Sequence, residues 1–263
     1  ADYIFGQPNL PSSLISKSTK LKAIFNVESN FMDNMDYDYC FRNGIHVLAT
    51  SPVFAQPVAE MAMGLTLSIA RSIHIAHSDF ILKKEKYGGE ISQNNFLLKN
   101  KTFGLIGFGG IGRETAKMAT ALGARTIAWN RTKKEEDGVE FLPLERVLSE
   151  SDILSFHLAL NDQTISFLDD EKLYKTKKGV IFVNTSRAEV FNEKTILKGL
   201  STGHIKHCAM DVFHEEPLPK NHQFLNSKCV TLTPHSAWVT SQAIDRLLWS
   251  GLKLLKIHSK EHK

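Results

Sequence analysis

Cysteine is scarce in this sequence, and its positions follow no pattern that redox or metal chemistry requires. Cys40, Cys208 and Cys229 are the three cysteines among 263 residues, an odd number without metal-binding or paired-thiol spacing. The pattern argues against a disulfide framework, and we expect no metal site. Reduced thiols of this kind are typical of the cytoplasm, which is where we expect the protein to be located.

A strong excess of charge and a long uninterrupted apolar run are also missing. The formal net charge is only +4, and the basic residues form no stripe, so nucleic-acid binding is not expected. The most apolar helical stretch, 61–75, is interrupted by Thr66, Ser68, Arg71 and Ser72. We therefore expect no apolar run long enough to cross a membrane, and no membrane partner.

The stretch over 102–132 carries the clearest motif. An apolar run over 103–106 enters a glycine-rich turn, and a helical pattern and a second apolar strand follow. This order of elements is typical of a dinucleotide-binding site, in which the glycines permit a tight turn and close approach of a pyrophosphate to the helix N-terminus. The candidate cofactor-binding residues of the turn are Gly107, Gly109, Gly110, Ile111 and Gly112.

The acidic residue that usually ends the second strand of such a site is missing. An NAD site places a carboxylate there, about 20 residues after the glycines, to bind the ribose 2′-hydroxyl. This chain has Asn130, followed by Arg131 and Thr132. Because arginine binds phosphate bidentately, the change predicts NADP(H) in preference to NAD(H). The alternative interpretation is a solvated basic loop beside an NAD site.

Candidate strands and helices alternate along most of the chain, with the longest helices expected over 58–75 and 239–257. This alternation predicts an α/β fold with parallel sheets, in which ligands bind at the carboxyl ends of the strands. Arg187, Glu216 and His235 each follow a candidate strand. Together they suit a 2-keto acid: arginine for the carboxylate, histidine as proton donor to the carbonyl oxygen, and glutamate to orient the histidine. Asp211 is placed by sequence to face the nicotinamide. Each of these residues, taken alone, also has a purely structural interpretation.

Four motifs occur in one order along the chain: GFGGIGRETA, VNTSRAE, MDVFHEEPLP and LTPHSAW. With them the chain resembles the D-isomer-specific 2-hydroxyacid dehydrogenase family, from about position 21 to the end of the closing helix. The resemblance implies a Rossmann doubly wound nucleotide-binding domain, 72–235, inserted in a smaller flavodoxin-like α/β substrate domain, 1–71 and 236–263. It also implies that the substrate domain lacks the strand and helix that come first in the family.

The resemblance further implies the roles of individual residues. The implied catalytic residues are Arg187, Glu216 and His235. Besides the glycine turn and the segment 130–132, the implied cofactor-binding residues are His157, Leu158, Thr185, Ser186, Asp211 and His235. The implied substrate-binding residues are Ser29, Asn30, Arg187 and Trp238. Trp238 has an equally good interpretation as a packing residue of the closing helix.

The resulting prediction is an enzyme that reduces a small 2-keto acid to the D-2-hydroxy acid, with glyoxylate and hydroxypyruvate as the first candidates. The resemblance also implies a homodimer that pairs through the nucleotide-binding domains, with the segment 80–100 as an arm. Two alternatives stay open. One is a catalytically inactive, nucleotide-sensing binding protein, and the other is a truncated homologue.

Overall fold

The computed structural model describes residues 1–27, 33–84 and 95–261. The strands are β1 Tyr3–Phe5, β2 Ala23–Asn26, β3 His46–Ala49, β4 Thr102–Ile106, β5 Arg125–Trp129, β6 Val139–Phe141, β7 Ile153–Phe156, β8 Val180–Asn184, β9 Ile205–Met210 and β10 Val230–Leu232. The α-helices are α1 Ser12–Ile15, α2 Tyr37–Arg42, α3 Ala55–Ala70, α4 Ile73–Ile81, α5 Gly110–Ala121, α6 Leu144–Glu150, α7 Asp170–Tyr174, α8 Glu193–Ser201 and α9 Ser241–Glu261. Short 3₁₀ turns occur at Ser51–Phe54, Ala188–Val190 and Gln223–Asn226.

The chain divides into two compact units, Ala1–Ala55 with Val239–Lys263, and Gln56–Trp238. The boundaries predicted from sequence, 71/72 and 235/236, lie elsewhere. The first difference has a packing cause, because α3 buries Met63, Leu65 and Ile69 in a core that also contains Phe103 of β4. The helix therefore groups with the larger unit and not with the smaller one.

The smaller unit is built on a parallel sheet of three strands in the order β1-β2-β3. Its core contains Ile15 before β2, Ile24 within β2, and Cys40 of α2. Helix α2 begins where the Asp36 carboxylate accepts a hydrogen bond from the Tyr39 amide at 2.8 Å, which satisfies one of the free N–H groups of the first turn. This unit is thus an α/β layer structure in its own right.

The larger unit is a parallel sheet of seven strands in the order β10-β9-β8-β7-β4-β5-β6. The order reverses at β4 and β7, which is the arrangement of a doubly wound fold. Strand β4 directs Phe103 and Leu105 to one hydrophobic cluster and Ile106 to the other, so both faces of the sheet are covered. The predicted α/β fold with a Rossmann domain and a smaller α/β unit is confirmed.

The longest apolar helix differs from expectation in two ways. By length and composition, the helical stretch Ser51–Ala70 is able to cross a membrane, so the expectation that no such stretch exists is wrong. Thr66 does not interrupt it, since its hydroxyl donates to the Ala62 carbonyl at 2.8 Å. Half of the stretch, 50%, is buried inside the protein, as in a core helix. The helix predicted over 58–75 is in fact two helices, because Ser72 adopts a left-handed φ of 53°.

Candidate active site at the carboxyl edge of the larger sheet

The glycine turn after β4 is shaped as a cradle that tolerates no side chains at two positions. Gly107 has a φ of +92°, and a Cβ there would lie 2.6 Å from the His157 carbonyl oxygen. A Cβ on Gly112 would lie 2.7 Å from the Gly107 carbonyl oxygen. No described side chain caps the N-terminus of α5 at Gly109, and its first turn has no acidic residue. The cradle therefore fits an anionic pyrophosphate, which would accept hydrogen bonds from the backbone N–H groups of the turn.

The strand end that follows, after β5, is braced by the Asn130 amide. Its oxygen accepts a hydrogen bond from the Phe108 N–H at 3.0 Å. Its nitrogen donates to the Thr132 carbonyl at 2.9 Å and to the Thr132 hydroxyl at 3.0 Å. Arg131 is exposed, and its guanidinium donates to the Gln163 side chain at 3.0 Å. Asn130 thus links the glycine turn to the basic loop, while Arg131 extends into solvent beside it.

The end of β7 forms the wall behind the cradle. The predicted residues His157 and Leu158 lie here, and Leu158 Cδ2 is 3.1 Å from where a Gly107 Cβ would be. The His157 ring lies 2.9 Å from the Ser155 hydroxyl. Burial lowers the pKa of His157 to about 3, so its imidazole is neutral at physiological pH.

At the end of β8, a buried asparagine that sequence reasoning missed holds the loop that carries Arg187. The Asn184 oxygen accepts from the Ser186 N–H at 3.0 Å and from its hydroxyl at 2.8 Å. The Asn184 nitrogen donates to the Arg187 carbonyl at 2.9 Å. The neighbouring Thr185 hydroxyl is buried and has no hydrogen-bond partner among the described residues, so it fits a position that a bound polar group would satisfy.

Glu216 and His235 are brought together, as the sequence predicts. Glu216 Oε2 lies 2.7 Å from His235 Nδ1, and Oε1 accepts from the Phe213 N–H at 2.9 Å. Burial raises the pKa of Glu216, but the hydrogen bonds from His235 and Phe213 and the nearby charge of Arg187 outweigh burial and lower it below its usual range. An ionised carboxylate only accepts hydrogen bonds, so Nδ1 of His235 carries the hydrogen and Nε2 is the atom able to meet a substrate oxygen.

The backbone around His235 is held by Asp211, which is fully buried. His235 itself has a left-handed φ of 50°. Asp211 Oδ1 accepts from the Thr233 hydroxyl at 2.6 Å and from the Ser236 N–H at 3.0 Å, and Oδ2 accepts from the Ala237 N–H at 2.9 Å. The carboxylate predicted to face the nicotinamide therefore has both oxygens engaged by the loop of His235. Its contact with a cofactor stays a prediction.

One pocket is lined by all three predicted catalytic residues. Its other lining residues are Ala188, Glu189, Val212, Phe213 and His214. Of the predicted substrate-binding residues, Trp238 follows this pocket in sequence and is 42% exposed. Ser29 and Asn30 lie outside the residues that the structure describes. Within the described ranges, no group of three or more His, Cys, Asp or Glu side chains is placed to hold a metal ion.

Comparison with known proteins agrees with this arrangement. The family described as "D-isomer specific 2-hydroxyacid dehydrogenase, NAD binding domain" matches residues 63–237. The chain belongs to this family. The chain is 37% identical over 233 residues to a hydroxypyruvate reductase of Thermotoga maritima, covering 88% of this chain and 74% of the relative. It is 34% identical over 239 residues to a glyoxylate reductase of Thermococcus litoralis, covering 88% and 71%.

Solved structures of related proteins share the fold over nearly the whole chain. A phosphoglycerate oxidoreductase from Rhizobium etli has a TM-score of 0.83 at 33% identity, covering 99% of this chain and 85% of that one. A glyoxylate reductase from Paecilomyes thermophila has a TM-score of 0.87 at 27% identity, covering 99% and 81%. The predicted family is confirmed. The prediction of an oxidoreductase with a nicotinamide-binding domain is confirmed as well.

The cradle can be tested by substitution at two glycines that have similar φ angles, +92° at Gly107 and +84° at Gly179. Gly107 and Gly179 both have positive φ, but no described atom lies within 4 Å of a Cβ added at Gly179. Alanine at either site should cost about 1–2 kcal/mol of unfolding free energy for the left-handed backbone. We expect Gly107→Ala to cost more and to abolish binding of the nicotinamide cofactor, because its Cβ would meet the His157 carbonyl oxygen. Urea unfolding and fluorescence titration of cofactor measure both effects, and equal behaviour of the two variants would contradict the assignment.

Proposed function

We propose that this protein reduces a small 2-keto acid to the D-2-hydroxy acid, with glyoxylate and hydroxypyruvate as the first candidates and NADPH preferred over NADH. The observation that carries the proposal is the 2.7 Å contact between Glu216 and His235 in a pocket that Arg187 also lines. The names of the relatives, hydroxypyruvate reductase and glyoxylate reductase, support the choice of substrate.

Each of the three pocket residues has a separate role in the proposed reaction. A reduced nicotinamide cofactor, with its pyrophosphate in the glycine cradle, would supply a hydride to the carbonyl carbon. His235 Nε2 donates a proton to the carbonyl oxygen as it gains charge, and takes it back in the reverse direction. Glu216 keeps the ring in the tautomer and orientation that this transfer needs. Arg187 binds the substrate carboxylate through paired hydrogen bonds and polarises the carbonyl.

The preference for NADPH rests on the loop after β5. No carboxylate is available at Asn130 to bind a ribose 2′-hydroxyl or to repel a 2′-phosphate. The adjacent Arg131 is exposed, and its present partner is the neutral side chain of Gln163. A phosphate would replace that neutral acceptor with a charged one, which makes a stronger hydrogen bond.

We also propose that the protein is a homodimer that pairs through the larger unit. Support comes from large apolar side chains that are exposed on and after α4, namely Ile73, Phe80, Ile81, Leu82 and Leu97 at 56%, 68%, 70%, 60% and 67%. Large apolar side chains exposed on one stretch of chain support an interface there. Of the segment 80–100 expected as the arm, residues 85–94 lie outside the part of the chain that the structure describes. Light scattering should give twice the chain mass of 29.5 kDa, and a monomer at micromolar concentration would exclude the dimer.

The proposed reaction is tested by following NADPH and NADH oxidation with glyoxylate, hydroxypyruvate and pyruvate. His235→Gln should lower kcat by about 100-fold to 10,000-fold with little change in KM, because the amide keeps hydrogen bonding but transfers no proton. His204→Gln is the matched control, because His204 precedes β9 at the end of the strand opposite the pocket, where its ring lies 3.1 Å from the Thr176 hydroxyl. This variant should behave as the unchanged protein. Tight NADPH binding without turnover of any keto acid would favour the nucleotide-sensing or truncated alternative.

The cofactor preference is tested by Arg131→Gln. This change should raise KM for NADPH roughly tenfold and leave KM for NADH unchanged, since only the 2′-phosphate gains a charge-assisted hydrogen bond. Lys228→Gln removes the same charge at another exposed position and serves as the control. If both cofactors lose affinity equally, or neither does, Arg131 does not select NADPH.

A further inference from the structure

Helix α4 belongs to the larger unit but buries none of its side chains. No residue of Ile73–Ile81 is buried, whereas the preceding helix α3 buries Met63 and Ile69. Among the described residues, hydrogen bonds join an α4 side chain to another element only at His74. Because most helices in proteins are stabilised by packing of an apolar face, the position of α4 depends strongly on this one side chain.

His74 connects α4 to three other elements through the two nitrogens of its ring. Nδ1 lies 3.1 Å from the Ser68 hydroxyl on α3, and Nε2 lies 3.1 Å from the Thr231 hydroxyl on β10. The same Thr231 hydroxyl lies 2.8 Å from Nε2 of His207 on β9. The two imidazole rings meet edge to face, with their centroids 5.6 Å apart. A single chain of hydrogen bonds thus ties α4 to α3 and to two strands of the sheet.

This chain of hydrogen bonds is complete until both rings are protonated. A threonine hydroxyl carries one hydrogen, so Thr231 donates to one ring and accepts from the other. One of the two Nε2 atoms must therefore have no hydrogen. When both rings are protonated, both Nε2 atoms donate, and the Thr231 hydrogen loses its acceptor. Two positive rings this close together also repel each other.

The surroundings keep both rings neutral at physiological pH. Burial is the largest cause that lowers the pKa of His207 to about 4, and the nearby charges of His74 and Lys206 lower it further. Burial also lowers the pKa of His74, and a hydrogen bond to the Ser68 backbone opposes burial only in part. Each ring thus takes up a proton less readily in the folded protein than in water.

The charges near the two rings are positive. Lys206 lies beside the second ring in β9, and its ammonium group is 5.8 Å from the centroid of the Phe96 ring. The ammonium group of Lys101 lies at the same distance from that ring. No carboxylate of the described residues contributes to the pKa of either histidine, and neither His77 nor Asp79 of α4 does so. No described acid therefore compensates a second proton.

We propose that His74, Thr231 and His207 form a proton-sensitive latch, which holds α4 on the sheet at neutral pH and releases it in acid when both rings are protonated. When α4 opens, the rings enter water, where a histidine has a pKa of about 6.5. The opened form therefore gains protons first as the pH falls. The latch is fully present above about pH 6.5 and is lost progressively toward about pH 4.

Hydrogen exchange of the amides of 76–82, corrected for the intrinsic exchange rate, tests the latch. Between about pH 7.5 and about pH 5, the opening constant of α4 should rise about 30-fold from the titration of His207 alone, given its pKa of about 4 in the latch and about 6.5 in water. Titration of His74 adds to this increase. Helix α5, which has buried residues of its own and no histidine, should keep its protection.

Variants that cannot take up a proton separate the latch from other effects of acid. In the double variant His74→Gln/His207→Gln, the side chains hydrogen bond but do not titrate, so the protection of α4 should agree within about twofold at the two pH values. Thr231→Val removes the shared hydroxyl and should raise opening about fivefold already at neutral pH, as expected for one lost hydrogen bond. His204→Gln is the control, because its ring contacts Thr176 outside the latch, and its pH response should be unchanged.

The latch is overturned if the double variant keeps the pH response of the unchanged protein. Should that variant fail to fold, NMR titration of the imidazoles in the unchanged protein decides. His207 should remain neutral at about pH 5.5, where a histidine in water is mostly protonated, and titration near 6.5 would overturn the latch. These measurements need neither turnover nor a dimer, so they decide the latch whatever the tests of the proposed function show.

Discussion

In the larger sheet all neighbouring strands run parallel, so their carboxyl ends lie along one edge. This arrangement brings together the glycine turn after β4, Arg187 after β8 and His235 after β10, which are far apart in sequence. The reversal of strand order between β4 and β7 opens a crevice there, and the His157 backbone closes its base against Gly107. The site thus exists because of sheet direction, and the motifs supply the side chains.

The same edge has to bury polar groups, and each buried group needs partners. A buried carboxylate or amide left without hydrogen bonds costs about 1–3 kcal/mol or more. Asn184 and Asp211 avoid that cost by hydrogen bonding to the loops beside them, and these loops carry Arg187 and His235, the proposed catalytic side chains. The strained backbone at His235, which costs on the order of 1–3 kcal/mol, is held by the same bonds. The same set of hydrogen bonds therefore satisfies the buried polar groups and fixes the backbone of both loops.

The features that sequence reasoning predicted well are local in the chain or carried by motifs. The glycine turn lies within one strand–turn–helix unit, and the pairing of Glu216 with His235 followed from their chemistry. The partners of Asp211 were not predictable, because its donors lie 22–26 residues away and meet it only in the folded sheet. The break at Ser72 was missed, since serine gives no signal for a left-handed conformation. Helix α3 belongs to the larger unit because it packs in that unit's core. Its amphipathic pattern shows that one face is buried, but not against which unit.

Asn130 stands at the position expected to contact the cofactor ribose, and its side chain also holds the backbone of the glycine turn and of the loop after β5. An aspartate there would keep an acceptor for the Phe108 N–H, but its second oxygen would face the Thr132 carbonyl, which is now 2.9 Å from the amide nitrogen. An aspartate, the residue type expected in an NAD site, would thus set two oxygens against each other in the loop after β5, next to the glycine turn. The residue at the expected ribose position therefore also holds the backbone of the glycine turn, through the Phe108 N–H. An acidic side chain at position 130 would therefore require a different backbone conformation at Thr132 as well.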